Sequence, residues 1–531
     1  MVFACAPCFR GVLADLQAVL PSRKSPAATP KRARRLLPRP SFRGRGRRFV
    51  SERPADLERV EDYYIIGDFL GSGSFGTVRR ARSLRTGQAC VVKAIRKERP
   101  ELFKFVANEL AVLSYCDHPS IVRVYDIFET EDEVHCAMQG CEGGNLEQVL
   151  AGQTCFSEDE GRLVMQQILR GVHYLHSVAG VVHRDLKLPN ILLRCAGVPI
   201  VENQAKIIDF GFARSLRPGS NTLHELCGSP GYLAPEVVRL GRFDEKCDIF
   251  SCGIMLYRLL TSEYPFDLDV ECLSVSSFSS PSFYERNICF RELESLDASG
   301  DGMHLVTLLC ELDPAQRISA REALANPWFD DLNTQDAAIF KKTCKLGRSI
   351  QKQLSIEQSS CEKLLCLQQE ILQLVAYRLD ERDVDQERSL FQAMDSDGDG
   401  ALTQEECLEM FQTELFGFRQ DECHEIFQKL NINGSGQIGY TEFLSRAVQM
   451  RGRATSCRKA VYAAFTAFDK NNDGKISVEE LLDTLTEQSV SSCRITLDDC
   501  HDTMRRVDSN GDGCMDFDEF LLVLGSEFYT H

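Results

Sequence analysis

Four residues raise the first chemical question about this chain. Asp185, Lys187 and Asn190 stand in H-R-D-L-K-L-P-N (183–190), and Asp209 opens the D-F-G that follows. An Asp there can accept a hydroxyl proton and a Lys beside it can neutralise a phosphoryl group. Asn190 and Asp209 offer the hard oxygens that Mg²⁺ takes while bridging phosphates. A lone loop Asp is usually a cap, and it is the set and its spacing that argue for phosphoryl transfer. The donor needs a cradle, and L-G-S-G-S-F-G-T-V supplies one with Leu70, Gly71, Ser72, Gly73, Ser74, Phe75, Gly76 and Val78. Glycines let backbone N–H groups approach phosphate oxygens closely. Alone, G-x-G-x-x-G fits a dinucleotide-binding turn or a plain hairpin as well. A Rossmann turn should open a helix, however, whereas Thr77–Arg82 continues as strand, which favours a hairpin lid over ATP. Lys93 in V-V-K-A-I and Glu109 in a helical F-V-A-N-E-L would then form the ion pair that positions the α/β-phosphates.

A second constellation lies in the C-terminal third. Loops rich in Asp, Asn and Gly start at Asp395, Asn431, Asp469 and Asp508, an internal repeat with apolar helical flanks. Oxygen ligands at positions 1, 3, 5, 7 and 12 with Gly at 6 make the EF-hand pattern for Ca²⁺. Loop one (395–406) offers Asp395, Asp397, Asp399, the Ala401 carbonyl and Glu406. Loop three (469–480) offers Asp469, Asn471, Asp473, Lys475 (carbonyl) and Glu480, and loop four (508–519) offers Asp508, Asn510, Asp512, Cys514 (carbonyl) and Glu519. Loop two (431–442) keeps the spacing as Asn431, Asn433, Ser435, Gln437 and Glu442 but retains one carboxylate. Its attraction for a divalent cation falls accordingly, and it is expected to be weak or empty, surviving as the structural partner of loop one.

The elements that must position these groups follow from patterning. Residues 64–329 pass from strand-like runs such as Val91–Ile95 to amphipathic helices such as Leu163–His176, a small β-rich lobe before a larger helical one. In residues 330–388, Leu364, Leu365, Leu367, Ile371, Leu372, Val375 and Leu379 form an amphipathic stripe. Residues 389–531 read as all-α. The fold class is therefore multidomain: a bilobal α+β unit followed by an all-α, calmodulin-like EF-hand domain. Residues 1–53 hold 13 Lys/Arg and two acids within a chain of net charge −17, so a basic, disordered tail precedes an acidic body. The tail is a solvated segment or a contact for an anionic membrane, nucleic acid or a nuclear-targeting receptor. Val2 excludes N-myristoylation, and no apolar run is long enough for a membrane span. The 23 cysteines form no compact disulfide framework, which points to a reducing, cytoplasmic or nuclear compartment.

The phosphoryl-transfer motifs, closed by A-P-E (234–236) and D-P-A-Q-R (313–317), resemble the eukaryotic protein kinase family. Lys187 in the catalytic loop and G-S-P-G-Y-L-A-P-E resemble its serine/threonine branch. The resemblance implies ATP contact by Met138 at the gatekeeper position, a buried Glu236–Arg317 pair, and activation-loop candidates Ser215, Ser220, Thr222 and Ser229, with Glu225 as a fixed charge. Departures are Gln139 in the hinge, Asn145 where relatives often carry Glu, and D-I-F (248–250) for D-x-W. Kinase, junction and four EF-hands in that order resemble the calcium-dependent protein kinases of plants and protists. That likeness implies a monomer using ATP, Mg²⁺ and Ca²⁺ on protein substrates. Its junction helix restrains the kinase at low Ca²⁺ and engages the EF-hands when they fill. The competing readings are a Ca²⁺-responsive scaffold without useful turnover, a constitutive kinase localised by its EF-hands, and a junction that is only a rigid spacer.

Overall fold

The computed structural model describes residues 59–73, 76–84, 87–97, 100–130, 132–215, 227–239, 244–266, 284, 287–290, 299–330, 362–412, 419–431, 434–450, 455–469, 471, 473–488 and 496–524. The tail 1–53, Ser74, Phe75, Asn433, Ser220, Thr222, Glu225 and the start of the junction lie outside them.

Alternating β-branched and small residues build an antiparallel sheet from β1 (Tyr64–Gly73), β2 (Gly76–Ser83), β3 (Ala89–Arg96), β4 (Val124–Glu129) and β5 (Glu133–Gln139), in the order β1-β2-β3-β5-β4. The hairpin turn between β1 and β2 is the glycine lid, with Gly73 paired to Gly76. Gly76 has φ +151°, and a side chain there would collide with the Ala94 backbone. Helix α1 (Pro100–Leu113) is tied to this sheet by the pair between its Glu109 and Lys93 of β3.

The larger lobe is organised around α3 (Glu158–Ser177) and α5 (Lys246–Thr261). Ser157 and Glu160 form a capping box that starts α3. Helix α5 is buried from Cys247 to Leu260, so it reads as an apolar core helix rather than an amphipathic one. Around them lie α2 (Leu146–Ala151), α4 (Pro235–Arg239), α6 (Gly300–Leu309), α7 (Ala320–Leu324) and the short strand pairs β6 (Val181–Val182) with β9 (Arg214–Ser215) and β7 (Ile191–Leu193) with β8 (Ala205–Ile207). Asn145, a departure from the kinase pattern, accepts the Gln148 N–H and caps α2. The Phe of D-I-F, Phe250, lies under the guanidinium of Arg317 at 5.1 Å and edge-on to Tyr284. The Glu236–Arg317 pair is bidentate at 2.6 and 3.0 Å and sealed from water.

The junction is α8 (Glu362–Arg378), whose Ile371, Leu372, Val375 and Ala376, with Leu379 just beyond, are buried in a second core. That core is shared with α9 (Asp385–Met394), α10 (Gln404–Phe411), α11 (Gln420–Leu430), α12 (Tyr440–Met450), α13 (Thr455–Phe468), α14 (Val478–Gln488), α15 (Leu497–Val507) and α16 (Phe517–Leu524). Loops one and two pair through β10 (Ala401–Thr403) and β11 (Gln437–Gly439), with Leu402 opposite Ile438. Loops three and four touch at Ile476 and Met515. Each contact uses position 8 of its loop.

Candidate catalytic centre and calcium loops

The catalytic loop begins where Asp248, buried in α5, accepts the backbone N–H groups of His183 and Arg184 at 2.8 Å and pairs with His176. Burial opposes the Asp248 charge, yet these donors hold its carboxyl below the usual range. Asp185 therefore leaves a rigid turn. Its Oδ2 accepts from Lys187 at 2.8 Å, and Asn190 donates to its carbonyl at 2.8 Å and to Oδ2 at 3.2 Å. Ser229, from G-S-P-G-Y, donates to Asp185 Oδ1 and accepts from Lys187, both at 2.7 Å. Its hydroxyl is thus engaged in the catalytic centre. Ser215 lies in β9. The motif around Ser229 was visible in the sequence, but nothing there indicated a bond to Asp185.

The upper half of the centre is assembled. Lys93 in β3 donates to both Glu109 oxygens, at 2.9 and 2.7 Å. Burial would lower the Lys93 pKa, but Glu109 and Asp209 outweigh it and keep the ammonium charged. Asn108, next to Glu109, donates to the carbonyls of Phe210 and Ala213 and so ties α1 to the D-F-G segment. Phe210 is buried against His183, with ring centroids 4.8 Å apart. Asp209 holds φ +65°, a strained conformation for a non-glycine residue. Its Oδ1 is buried and bonded to nothing, as suits an oxygen meant for a hard cation. The donor set thus fits Mg²⁺. Met138 lies in β5 opposite Val91 and Val124. Gln139 accepts the Arg123 N–H on its side-chain oxygen while its own N–H donates to the Arg123 carbonyl. Leu70, Gly71, Ser72 and Val78 stand in β1 and β2 around the lid.

The calcium loops are equally regular. In loop one, Asp395, Asp397 and Asp399 bring one carboxylate oxygen each within 4.8 Å of one another, and Asp395 Oδ1 is buried without a hydrogen bond. Gly400 N–H donates to Asp395 and Ala401 N–H to Asp399, while Glu406 closes the loop onto Ser396 and Thr403. Burial, reinforced by Asp399 and Glu406 and opposed by Arg170, pushes Asp395 up to about 8. Such a set suits a divalent cation. Loop three repeats the pattern, with Gly474 and Asp473 donating to Asp469 and Glu480 reaching back to Asn471. Loop four does so through Gly513 to Asp508, Asp512 to Asn510, and Glu519 to Ser509 and Asn510. The Lys475 ammonium crosses to Asp512 Oδ2 at 2.6 Å, and Cys514 N–H bonds Asp512 Oδ1. In loop two the Ser435 N–H donates to Asn431, the Ser435 hydroxyl donates to the Gln437 carbonyl, and Glu442 accepts the Gly439 N–H at 3.3 Å.

Sequence reasoning missed the residues that join the two halves. Tyr377 donates to the Val124 carbonyl at 2.9 Å, and Arg378 forms a bidentate pair with Asp126 at 3.0 and 2.8 Å. Asp380 meets Arg194 at 3.1 Å. Arg123, 2% exposed, lies between the rings of Tyr377 and Tyr440 at 5.3 and 5.2 Å. Loop one rests on α3 and α7, where Arg321 approaches Asp397 at 3.8 Å.

A glycine lid, a Lys–Glu pair and an H-R-D/D-F-G centre on this bilobal fold define a protein kinase, here carrying two pairs of EF-hands. The protein kinase domain model matches residues 64–329, and the EF-hand domain pair model matches 385–447 and 458–524. Calcium-dependent protein kinase 5 of Plasmodium falciparum (isolate 3D7) is 30% identical over 475 residues, covering 88% of this chain and 78% of that protein. Calcium-dependent protein kinase 3 of Plasmodium berghei is 28% identical over 473 residues (88% and 80%), and calcium-dependent protein kinase 22 of Arabidopsis thaliana is 28% identical over 480 (88% and 91%). The chain belongs to the calcium-dependent protein kinase family. It is a calcium-regulated serine/threonine protein kinase that uses ATP with Mg²⁺ on protein substrates and binds Ca²⁺ through its EF-hands. Among the described residues no helix is long and apolar enough to cross a membrane.

Proposed function

We propose that Asp185 orients the substrate Ser or Thr hydroxyl and takes its proton as the oxygen attacks the γ-phosphorus of ATP. The bond to the β-phosphate oxygen breaks and ADP departs. Lys187 neutralises the charge on the transferring group, and Lys93, held by Glu109, fixes the α/β-phosphates. The lid from Leu70 to Gly76 with Val78 covers the phosphates, and Met138 bounds the adenine pocket. Asn190 and Asp209 would hold Mg²⁺, which supplies positive charge to the phosphates. The observation that carries this reading is the closed cluster of Asp185, Lys187, Asn190 and Ser229 beneath an intact Lys93–Glu109 pair. Asp185→Asn removes the base and keeps the shape. It is expected to abolish peptide phosphorylation while leaving Ca²⁺ binding by calorimetry unchanged, and retained turnover would overturn the assignment.

The Ca²⁺ ligands of loops one, three and four are those named from the sequence, with loop two weak. The junction restrains the kinase when the loops are empty, and Ca²⁺ shifts the balance. Moving such an equilibrium from 1:99 to 99:1 takes about 5.5 kcal/mol, about 1.8 kcal/mol for each of three loops, within the reach of sensor sites. Support comes from α8 itself, which is buried in the EF-hand core along one face and grips the kinase through Tyr377 and Arg378 at its end. A rearranged EF-hand core therefore pulls on the small lobe. A kinase assay across a Ca²⁺ titration tests this, since equal rates in EGTA and micromolar Ca²⁺ would remove the regulatory half. The protein works as a cytoplasmic monomer whose basic tail contacts anionic membranes. Co-sedimentation with phosphatidylserine vesicles, lost on deleting residues 1–53, tests the tail.

A further inference from the structure

An EF-hand normally caps its own exiting helix. Position 9 of the loop is the N-cap, and its side-chain oxygen accepts the N–H of position 12. Three loops here follow that rule. Thr403 caps Glu406 in loop one at 3.3 Å, Ser477 caps Glu480 in loop three at 3.2 Å, and Asp516 caps Glu519 in loop four at 2.9 Å. Loop two cannot, because its ninth residue is Gly439.

The missing oxygen comes from the kinase domain. Asp117, in the turn between α1 and β4, accepts the Thr441 N–H on Oδ2 at 2.9 Å and the Thr441 hydroxyl on Oδ1 at 2.5 Å. Thr441 is the second residue of α12, so its N–H is one of the orphan donors a cap exists to satisfy. Among the described residues, a Cβ built on Gly439 would have only Asp117 Oδ2 within 4 Å, at 3.7 Å. The kinase carboxylate thus stands where the ninth side chain would project. It also brings a full negative charge to the positive end of an eleven-residue helix. The aspartate is held for the task, since its own N–H donates to the buried hydroxyl of Tyr174 at 2.9 Å. Its neighbour His118 stacks on Tyr174 at 5.2 Å. A Cβ on Gly400 of loop one would come within 2.9 Å of the Tyr174 ring. Arg123, a few residues on, sits against Tyr440, the first residue of α12.

We propose that loop two of the EF-hand domain is a docking socket for the kinase turn that carries Asp117, which caps α12 from the other domain in place of a side chain at position 9. The loss of carboxylates in loop two and the glycine at position 9 then have one meaning: the loop has exchanged a calcium ion for a kinase carboxylate. Its engagement needs no cation in loop two and is independent of the roles proposed for the junction. Because loops one and two share the β10–β11 ladder, the socket also fixes the partner that keeps its calcium ligands.

Hydrogen–deuterium exchange of the full chain, in EGTA and in saturating Ca²⁺, reads the contact on both sides. Asp117→Ala is expected to speed exchange of the first-turn amides of α12 about tenfold, a typical N-cap loss. A difference at either calcium level supports the socket and says when it is engaged, whereas unchanged rates at both overturn it. Adding Gly439→Ser to Asp117→Ala supplies an internal cap for which there is room. It should restore protection at 440–443 while segment 114–120 stays fast. If α12 stays unprotected, Asp117 does not act as a cap and the proposal fails. Should Asp117→Ala not fold, Thr441→Val and the single Gly439→Ser read the same contact from the EF-hand side. The second should speed exchange at 114–120 by competing with Asp117, and no change there or in α12 for either variant would count against the socket.

Discussion

The two EF-hand pairs share a repeat and differ in surroundings. Loops one and two lie against the kinase, with Asp395 buried at 2% exposure and Asp399 at 9%. Loops three and four are more open: their Asp469 and Glu519 are buried as well, but Asn471, Asp473, Asn510 and Asp512 are exposed and Asp508 half-exposed. The first pair is therefore a sensor built into an interface, whose calcium chemistry and kinase contacts act on the same few residues. Among the described residues, the second is tied to the kinase through α8, where Gln368 bonds the Leu524 carbonyl. Calcium at the first pair should be felt by the kinase directly, and calcium at the second through the helix.

The sharpest way to break that contrast is to remove the closing glutamate from one loop of each pair. Glu406→Gln and Glu519→Gln each delete a bidentate ligand and should weaken their own site by on the order of 100-fold. Only Glu406→Gln should also alter exchange in the kinase segments that meet loop one, around His118 and Tyr174. Equal effects of both variants on the kinase would dissolve the distinction.

Arg123→Ala comes next. Its guanidinium is buried between Tyr377 and Tyr440 and donates to the Tyr377 carbonyl at 3.4 Å, so it joins kinase, junction and first pair. Truncation leaves a void and unpaired groups, a loss of about 3 kcal/mol. Arg458→Ala, over Phe517 at 5.9 Å in the second pair, removes an exposed cation–π contact and should cost under about 1 kcal/mol. Denaturant unfolding of the full chain compares them, and similar costs would argue against a special joint.

Much of this was legible in advance, and the part that was not has a physical cause. Spacing alone named Asp185, Lys187, Asn190 and Asp209, because a reacting phosphate imposes local geometry on a short stretch of chain. The stripe Ile371, Leu372, Val375 and Leu379 announced a buried helix face. It could not say that Tyr377 and Arg378, on the other side, would seek Val124 and Asp126, since apolarity specifies burial and leaves the partner open. Asp117 and Thr441 are 324 positions apart, and neither is unusual by itself. The one available signal was Gly439, a position-9 residue unable to do what Thr403, Ser477 and Asp516 do. Asn145 shows the converse: a departure at a substrate-linked position serves as a helix cap.

Proton competition sharpens the contrast at smaller scale. Burial pushes Asp395 up to about 8 and Asp399 up to about 6, so the folded state keeps protons that the unfolded chain releases near pH 4. That contribution to stability is complete below pH 4 and is lost as pH rises through 6 and then 8. Calcium must displace the same protons. Apparent affinity at loop one should therefore climb with pH between about 6 and 8, by up to about tenfold per unit. In loop four the hydrogen bond from Lys475 holds Asp512 below its usual value, so affinity there should stay nearly flat. Calorimetry at pH 6, 7 and 8, on Glu480→Gln/Glu519→Gln to follow loop one and on Glu406→Gln/Glu480→Gln to follow loop four, separates the two, and parallel slopes would refute the assignment.

The smallest effect belongs to Lys475→Ala. This ammonium, 46% exposed, bridges to a ligand oxygen of the neighbouring site, Asp512 Oδ2. It neutralises a charge that calcium would otherwise meet, so filling loop four must first break the bridge. The pair is solvated, and exposed pairs contribute little. Removing it should tighten loop four by no more than about fivefold, and the gain should shrink as salt screens the interaction. A calcium titration of Lys475→Ala at 0.05 and 0.5 M KCl checks both statements. If affinity falls instead, Lys475 holds loops three and four in register, and the second pair is then as dependent on its contacts as the first.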